Sequence, residues 1–381
     1  MLKGGGGTAT ASHLLANTLR EQDFTQVTFL GVTKEVEVCT QAQKVHKAAG
    51  LSFECLQQRH FEQPKVVETY PYEALSHAIV AWLREHADLC EVIHGHEWGG
   101  VLVDAATLSY FRRLPPGTRT VIVPHGGHMW SLQWRPQRSL SVEPLRIDHQ
   151  ERMAILMADT LASPTQHMRA YLNARGWTLP DDTKIIPNVM PALGSPQLQG
   201  VAPGEAMQLQ TGAVKRVWRV AFFSRMEERK GIKVFVDALN MLNAASLKQS
   251  QEVNSKLWRE QAATAQASSA GGAGVERSTN GTGRRLTALR GQQEEFEVYF
   301  LGADTSVQYQ PSSVWLADQS RGWPWKTHLL MNAPRSEALQ VLAQPGMLVV
   351  FCSLVENLPY VIAEARPFQA PLCAAASPLE S

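Results

Sequence analysis

The sequence predicts an α/β protein of two doubly wound, parallel-sheet domains. Three observations lead there. At 381 residues the chain is longer than one ordinary domain. Short apolar runs alternate with amphipathic stretches, which is the pattern of repeated strand–helix–strand units. A Pro-, Gly- and Gln-rich stretch with little apolar periodicity, residues 190–215, divides two such series. The expected organisation is therefore an N-terminal domain over 1–189, a linker over 190–215 and a second domain over 216–381.

Four glycines, Gly4 to Gly7, open the chain, and Ser12 to Leu19 reads as a helix. A glycine-rich turn before a helix can bring backbone N–H groups to a phosphate or sugar. Gln26 to Gly31 reads as a strand, and Tyr72 to Leu83 has helical periodicity. Strands running into loops are expected at 91–98, 119–128, 158–164 and 184–189. In parallel sheets ligands bind beyond the carboxyl ends of strands, where His94, His125 and Ser163 fall. The second domain starts with the strand Val217 to Phe223, continues through Ser224 to Ile232, and enters a helix at Lys233. Residues 246–293 are small, polar and glycine-rich towards their end, and a disordered surface insertion is expected there. Strands resume at Phe296 to Gly302, Thr327 to Asn332 and Gly346 to Phe351. A last strand-like run covers 370–375, and the second domain reads as incomplete at its C-terminus.

Bulk properties exclude several classes. A formal net charge of +1 argues against nucleic-acid binding driven by bulk electrostatics. No apolar run reaches the length of a membrane span, although peripheral membrane contact stays open. The start of the chain has no apolar signal core, and the five cysteines show no metal-ligand spacing. They read as free buried thiols, so a cytoplasmic, reducing location is expected. His96-Glu97-Trp98-Gly99-Gly100 lacks the second histidine of a zinc-protease helix. His125-Gly126-Gly127-His128 has no accompanying G-x-S-x-G nucleophile. There is no P-loop and no Asp-x-Asp metal–diphosphate motif.

The residues suited to chemistry sit at strand ends. Arg225 and Lys230 straddle a strand end and a helix start. Arginine can fork two phosphate oxygens and lysine acts as a point charge, so the pair can stabilise a departing diphosphate. Further on, Ser353-Leu354-Val355-Glu356-Asn357-Leu358-Pro359 leads into a helix that carries Glu364. Pro359 suits the first helical turn. The helical rise separates Glu356 from Glu364 by roughly 12 Å. That length fits a sugar–diphosphate–ribose ligand whose diphosphate meets the helix N-terminus. For each of these features a solvated helix face or a basic surface is the plain alternative.

Taken together, Ser-Arg-x4-Lys-Gly after an apolar strand and Glu-Asn-Leu-Pro followed by Ile-Ala-Glu-Ala resemble the signature of retaining glycosyltransferases. The family has the two-Rossmann-domain GT-B fold and includes a glycogen-synthase-like and mannosyltransferase-like group. The strand-end histidines and Pro187-Asn188-Val189 resemble its N-domain and hinge motifs. The resemblance implies two Rossmann-like domains and transfer of a hexose from a nucleotide sugar with retention of configuration, without a divalent metal or other cofactor. It implies Arg225 and Lys230 on the donor phosphates, Glu364 on the nucleotide ribose, and Glu356, Asn357 and Leu358 beside the donor. It implies His125 against the transferred sugar and Gly6 and Gly7 in a first donor loop. The partners are then a nucleotide sugar and a glycan, lipid or small-molecule acceptor. Ser224 departs from the family's usual glycine, and the family's first strand and closing elements are not found. A non-catalytic sugar-nucleotide binder or impaired fragment, and a nucleotide-sugar epimerase, stay open as alternatives.

Overall fold

The computed structural model describes residues 7–22, 26–33, 35–48, 50–62, 70–86, 90–132, 141–190, 217–270, 295–354, 356–357, 360–365 and 372–374. The chain divides into two compact units. The first comprises 1–197 with 355–363, and the second 198–354 with 364–381. Residues 355–363, which chain order alone would give to the second domain, thus belong with the first.

In the first unit, helix α1 (Gly7–Glu21) precedes strand β1 (Thr28–Gly31), helix α2 (Val36–Ala48) and strand β2 (Ser52–Cys55). Strands β1 and β2 pair in parallel as a two-stranded sheet. A separate parallel sheet runs in the order β3-β4-β5-β6: β3 (Val92–His96), β4 (Arg119–Val123), β5 (Thr160–Ser163) and β6 (Lys184–Ile185). Helices α3 (Pro71–His86), α4 (Val103–Tyr110), α5 (His128–Leu132), α6 (Val142–Met157) and α7 (Gln166–Ala174) accompany it. Helix α3 buries Ser76, Ile79, Val80 and Leu83, an i, i+3, i+4, i+7 stripe. Ile79 and Leu83 of that stripe join a core with Ile122 of β4, Leu161 of β5, and Ile155, Met168 and Leu172. Helix α7 starts on Thr165, whose hydroxyl accepts the Met168 N–H at 3.0 Å. It stops at Gly176 (φ 72°), and the Trp177 N–H returns to the Leu172 carbonyl.

The second unit holds strands β7 (Val217–Phe223), β8 (Glu295–Gly302), β9 (Ser306–Val307), β10 (Gln310–Pro311), β11 (Lys326–Met331), β12 (Met347–Phe351) and β13 (Leu372–Ala374). Five of these form one parallel sheet in the order β11-β8-β7-β12-β13. Strands β9 and β10 make a short antiparallel ladder. Helices α8 (Ile232–Ala270), α9 (Ser312–Gln319) and α10 (Arg335–Leu342) accompany these strands, and α11 (Tyr360–Ala365) starts in the first unit and ends in the second. The core gathers Val220 and Phe222 of β7, Val298 and Phe300 of β8, and Phe235, Val236 and Leu239 of α8. The chain builds this sheet outwards from β7 to β11, then returns to β7's other side with β12. The reversal creates a topological switch point between β7 and β12, and a crevice at their carboxyl ends.

Three expectations need correction. Helix α8 runs 39 residues, through Ala270, so the stretch from Ser246 is helical rather than the start of a disordered insertion. Its Ala, Gln, Lys, Glu and Leu residues favour helix even where they offer little apolar surface to bury. Residues 271–294 of that expected insertion lie outside the described residues. Gly7, expected in a turn, is the first residue of α1. The cysteines are not all free thiols: Cys39 and Cys55 form a disulfide joining α2 to β2. Parallel packing of β1–α2–β2 brings together two residues that sequence spacing could not pair. Cys90 and the buried Cys352 take no part in a disulfide among the described residues.

Candidate functional site

The switch point of the second unit collects the basic residues singled out by sequence. Strand β7 ends at Phe223, and the Ser224 N–H bonds the Leu301 carbonyl of β8 at 3.0 Å. Arg225 follows with its side chain 49% exposed, and Lys230 lies in a single 3-10 turn, Glu228–Lys230. Gly231 closes the loop in a left-handed conformation (φ 76°). A Cβ there would sit 1.7 Å from the Cys352 carbonyl oxygen, so only glycine lets the two backbones touch. The Cys352 thiol donates to the Gly231 carbonyl at 3.2 Å, and the Leu354 N–H donates to the Arg229 carbonyl at 2.9 Å. The Arg225–Lys230 loop is therefore packed directly on the loop that leaves β12.

Charge in this loop is partly balanced from within. The Glu227 carboxylate accepts from Arg225 at 3.1 Å and from Arg229 at 2.8 Å. Arg229 is largely covered, whereas Arg225 keeps half of its side chain open. A half-exposed guanidinium at a strand end can meet an anionic ligand with little reorganisation. Glu364 lies on α11, while Gly6 and Leu358 lie outside the described residues.

In the first unit the carboxyl ends of β3, β4 and β5 carry His96, His125 and Ser163 respectively. His96 and His125 meet edge to face, ring centroids 4.4 Å apart, and Ser12 of α1 hydrogen-bonds His96 Nε2 at 2.7 Å. His94 lies further down β3, its ring 6.1 Å from that of His96. The Nε2 of His125 is buried without a hydrogen-bond partner among the described residues. Burial, and then the nearby His94, push the His125 imidazole down to about 4, so it is neutral near pH 7.

Glu356 sits half-buried in the loop before α11. Asn357 beside it is held on both sides of its amide. Its Oδ1 accepts from the Thr165 hydroxyl at 2.6 Å, and its Nδ2 donates to the Pro124 carbonyl at 3.3 Å. Tyr360 donates to the Val189 carbonyl at 3.3 Å and packs with Ala11 and Leu14 of α1. Asn357 is thus tied, within the first unit, to the loops after β4 and β5.

Two acids that the sequence did not mark as functional hold the histidine loop. The buried Glu97 carboxyl accepts the N–H groups of His125 (2.8 and 2.9 Å) and Gly126 (2.7 Å). The buried Glu151 of α6 accepts those of Gly99 (2.8 Å) and His128 (3.0 and 2.8 Å). Burial raises Glu97 to about 7 against those donated hydrogen bonds. Burial, and then the charge of Glu97, raise Glu151 to about 8. Gly126 (φ 115°) leaves room for Trp130, whose ring would lie 1.5 Å from an added Cβ. An acid in a loop or mid-helix usually faces water, so only tertiary packing reveals these two. The one sequence signal is Glu97 wedged between a His-x-His strand end and paired glycines.

No family model matches the chain, and no curated protein matches it. Solved structures do. One titled OtsA apo structure is 14% identical over 97% of this chain and 80% of that one, with a TM-score of 0.51. A sucrose-phosphate synthase from Thermosynechococcus elongatus is 14% identical over 92% of this chain and 81% of that one, with a TM-score of 0.50. At such low identity the likeness establishes the fold: this is a GT-B chain with two Rossmann-like, parallel-sheet units.

Proposed function

We propose that the chain is a glycosyltransferase that moves a hexose from a nucleotide sugar to an acceptor with retention of anomeric configuration. The supporting observation is the Arg225–Lys230 loop lodged against the β12 loop at the switch point of a 3-2-1-4-5 parallel sheet. Nucleotides bind such crevices, and cations fixed there can stabilise a leaving diphosphate as its bond to the sugar breaks. The GT-B fold is the second support.

In this proposal Arg225 and Lys230 take the donor phosphates and Glu364 takes the ribose hydroxyls. Glu356 orients the donor sugar or its neighbouring loop. Asn357, with its amide already engaged by Thr165 and Pro124, fixes the path of that segment, and Leu358 lies next to it. Gly7, the first residue of α1, is assigned to the backbone's approach to the donor, and Gly6, outside the described residues, is assigned with it from the sequence alone. The neutral His125 is assigned to the transferred sugar, because its buried Nε2, unpartnered among the described residues, is left to hydrogen-bond a hydroxyl. No divalent metal is required when fixed cations carry the charge. One similar structure is a sucrose-phosphate synthase, which makes sugars and sugar phosphates the first acceptors to try.

The test is a panel of nucleotide sugars incubated with and without those acceptors, with products followed by NMR. Acceptor-dependent release of a nucleoside diphosphate, with the transferred sugar keeping its anomeric configuration, is expected. An epimerised donor without such release would replace this proposal with an epimerase, and inertness towards every donor would remove it.

A further inference from the structure

We propose that Glu97 is a positioning residue for His125, with Glu151 as its second anchor. The inference rests on the reading of His125 as the group that meets the transferred sugar. Four backbone N–H groups from two strand-end loops converge on two buried carboxyls. Glu97 takes those of His125 and Gly126, and Glu151 takes those of Gly99 and His128. Glu151 thus cross-links the loop after β3 to the loop after β4, and Glu97 anchors the very residue that carries the imidazole.

The arrangement differs from ordinary core packing in what it immobilises. Loops at strand ends normally satisfy their N–H groups with water and move. Here the acceptors come from inside the protein, and each glycine in the loop is crowded against the frame. An added Cβ at Gly127 would lie 2.5 Å from Glu151 Oε2, and one at Gly126 would meet Trp130. Among the described residues, nothing hydrogen-bonds the His125 side chain through Nε2. Its orientation therefore depends on its backbone being held and on the edge-to-face contact with His96. Small displacements of a group acting on a reacting sugar are costly, about 10²-fold in rate for 1 Å.

The test uses the full chain with Glu97→Ala, Glu97→Asp and Glu97→Gln, and Asp159→Asn as a control. Asp159 is a carboxylate held by the Thr120 N–H and hydroxyl and by Ser109, away from these loops. The first readout is the NMR titration of the His125 imidazole, which needs no substrate. In the wild type, burial is expected to keep it neutral down to about pH 4. In Glu97→Ala, or in Glu97→Asp should the alanine variant fail to fold, the released loop exposes the imidazole to water, and the midpoint moves towards the ordinary value of about 6.5. Glu97→Gln, which keeps one acceptor oxygen, is expected to restore most of the wild-type midpoint. The second readout is transfer kinetics: kcat falls about 10²-fold in Glu97→Ala or Glu97→Asp while donor KM stays within about two-fold. Asp159→Asn is expected to lose stability and leave both readouts unchanged.

A folded Glu97 variant that loses stability but keeps both the His125 midpoint and kcat makes Glu97 merely structural and overturns the proposal. Should the wild type turn over no nucleotide sugar, the glycosyltransferase reading fails by itself, and the titration still decides the positioning role.

Discussion

The backbone N–H of Leu354 donates to the carbonyl of Arg229 at 2.9 Å. Residues 125 positions apart in the chain are thereby fixed side by side at the carboxyl ends of β7 and β12. The bond joins the basic loop of the second unit to the segment that leads towards Glu356 and Glu364. It is the local expression of the sheet order, because only a switch point makes β7 and β12 neighbours.

Lys230→Ala should lower turnover by about 10²–10³-fold, the usual loss when one group stabilising developing charge is removed. Glu364→Ala should lower kcat/KM by about tenfold or more, the loss of one charged hydrogen-bond partner to the donor. Circular dichroism and melting temperature should stay close to wild type. Near-normal rates in either variant would remove that residue from the site.

Gly231→Ala should be destabilising by at least about 2 kcal/mol, since a Cβ meets the Cys352 carbonyl and the left-handed backbone disfavours alanine. Denaturant unfolding measures this directly. An unchanged midpoint would mean that the two loops do not touch as described.

Glu97 and Glu151 give the protein a stability that depends on pH. Their folded values of about 7 and about 8 lie above the ordinary 4.5. Between pH 4.5 and 8 the folded state therefore holds more protons than the unfolded state. Stability contributed by these groups is present below pH 4.5 and is lost as pH rises through 7 and 8. Melting temperature across that window should fall, and the fall should flatten in the Glu97→Gln, Glu151→Gln double variant. An identical slope in that variant would contradict the assignment.

Chelation should leave transfer intact. Arg225, Lys230 and the covered Arg229 supply positive charge at the proposed phosphate position. Loss of activity in EDTA with recovery on adding magnesium would show that a metal carries the diphosphate instead.

Much of the fold was legible because the buried strands are plain apolar runs: Val121-Ile122-Val123 in β4, Val220 to Phe223 in β7, Met347 to Phe351 in β12. Their order in the sheet was not, since nothing local tells β12 to lie beside β7. Arg225 and Lys230 could be found because cations at a strand end are visible in sequence. Glu97 and Glu151 could not, because burial is a property of the folded chain. Cys39 and Cys55 escaped for the same reason: their sulfur atoms meet only once α2 lies against β2. The stretch of α8 beyond Ser246 was misjudged because low apolar content signals lack of a core, not lack of helix.

The measurement that bears most directly on the central claim is calorimetric titration of nucleoside diphosphates into the wild type and Arg225→Ala. Arg225 is half-exposed, so its removal should spare the fold. At least one diphosphate should bind the wild type, and that binding should be lost or weakened by about tenfold or more in Arg225→Ala, the loss of one charged hydrogen-bond partner. Binding of none, or equal binding to both proteins, would contradict a diphosphate site at the β7–β12 switch point.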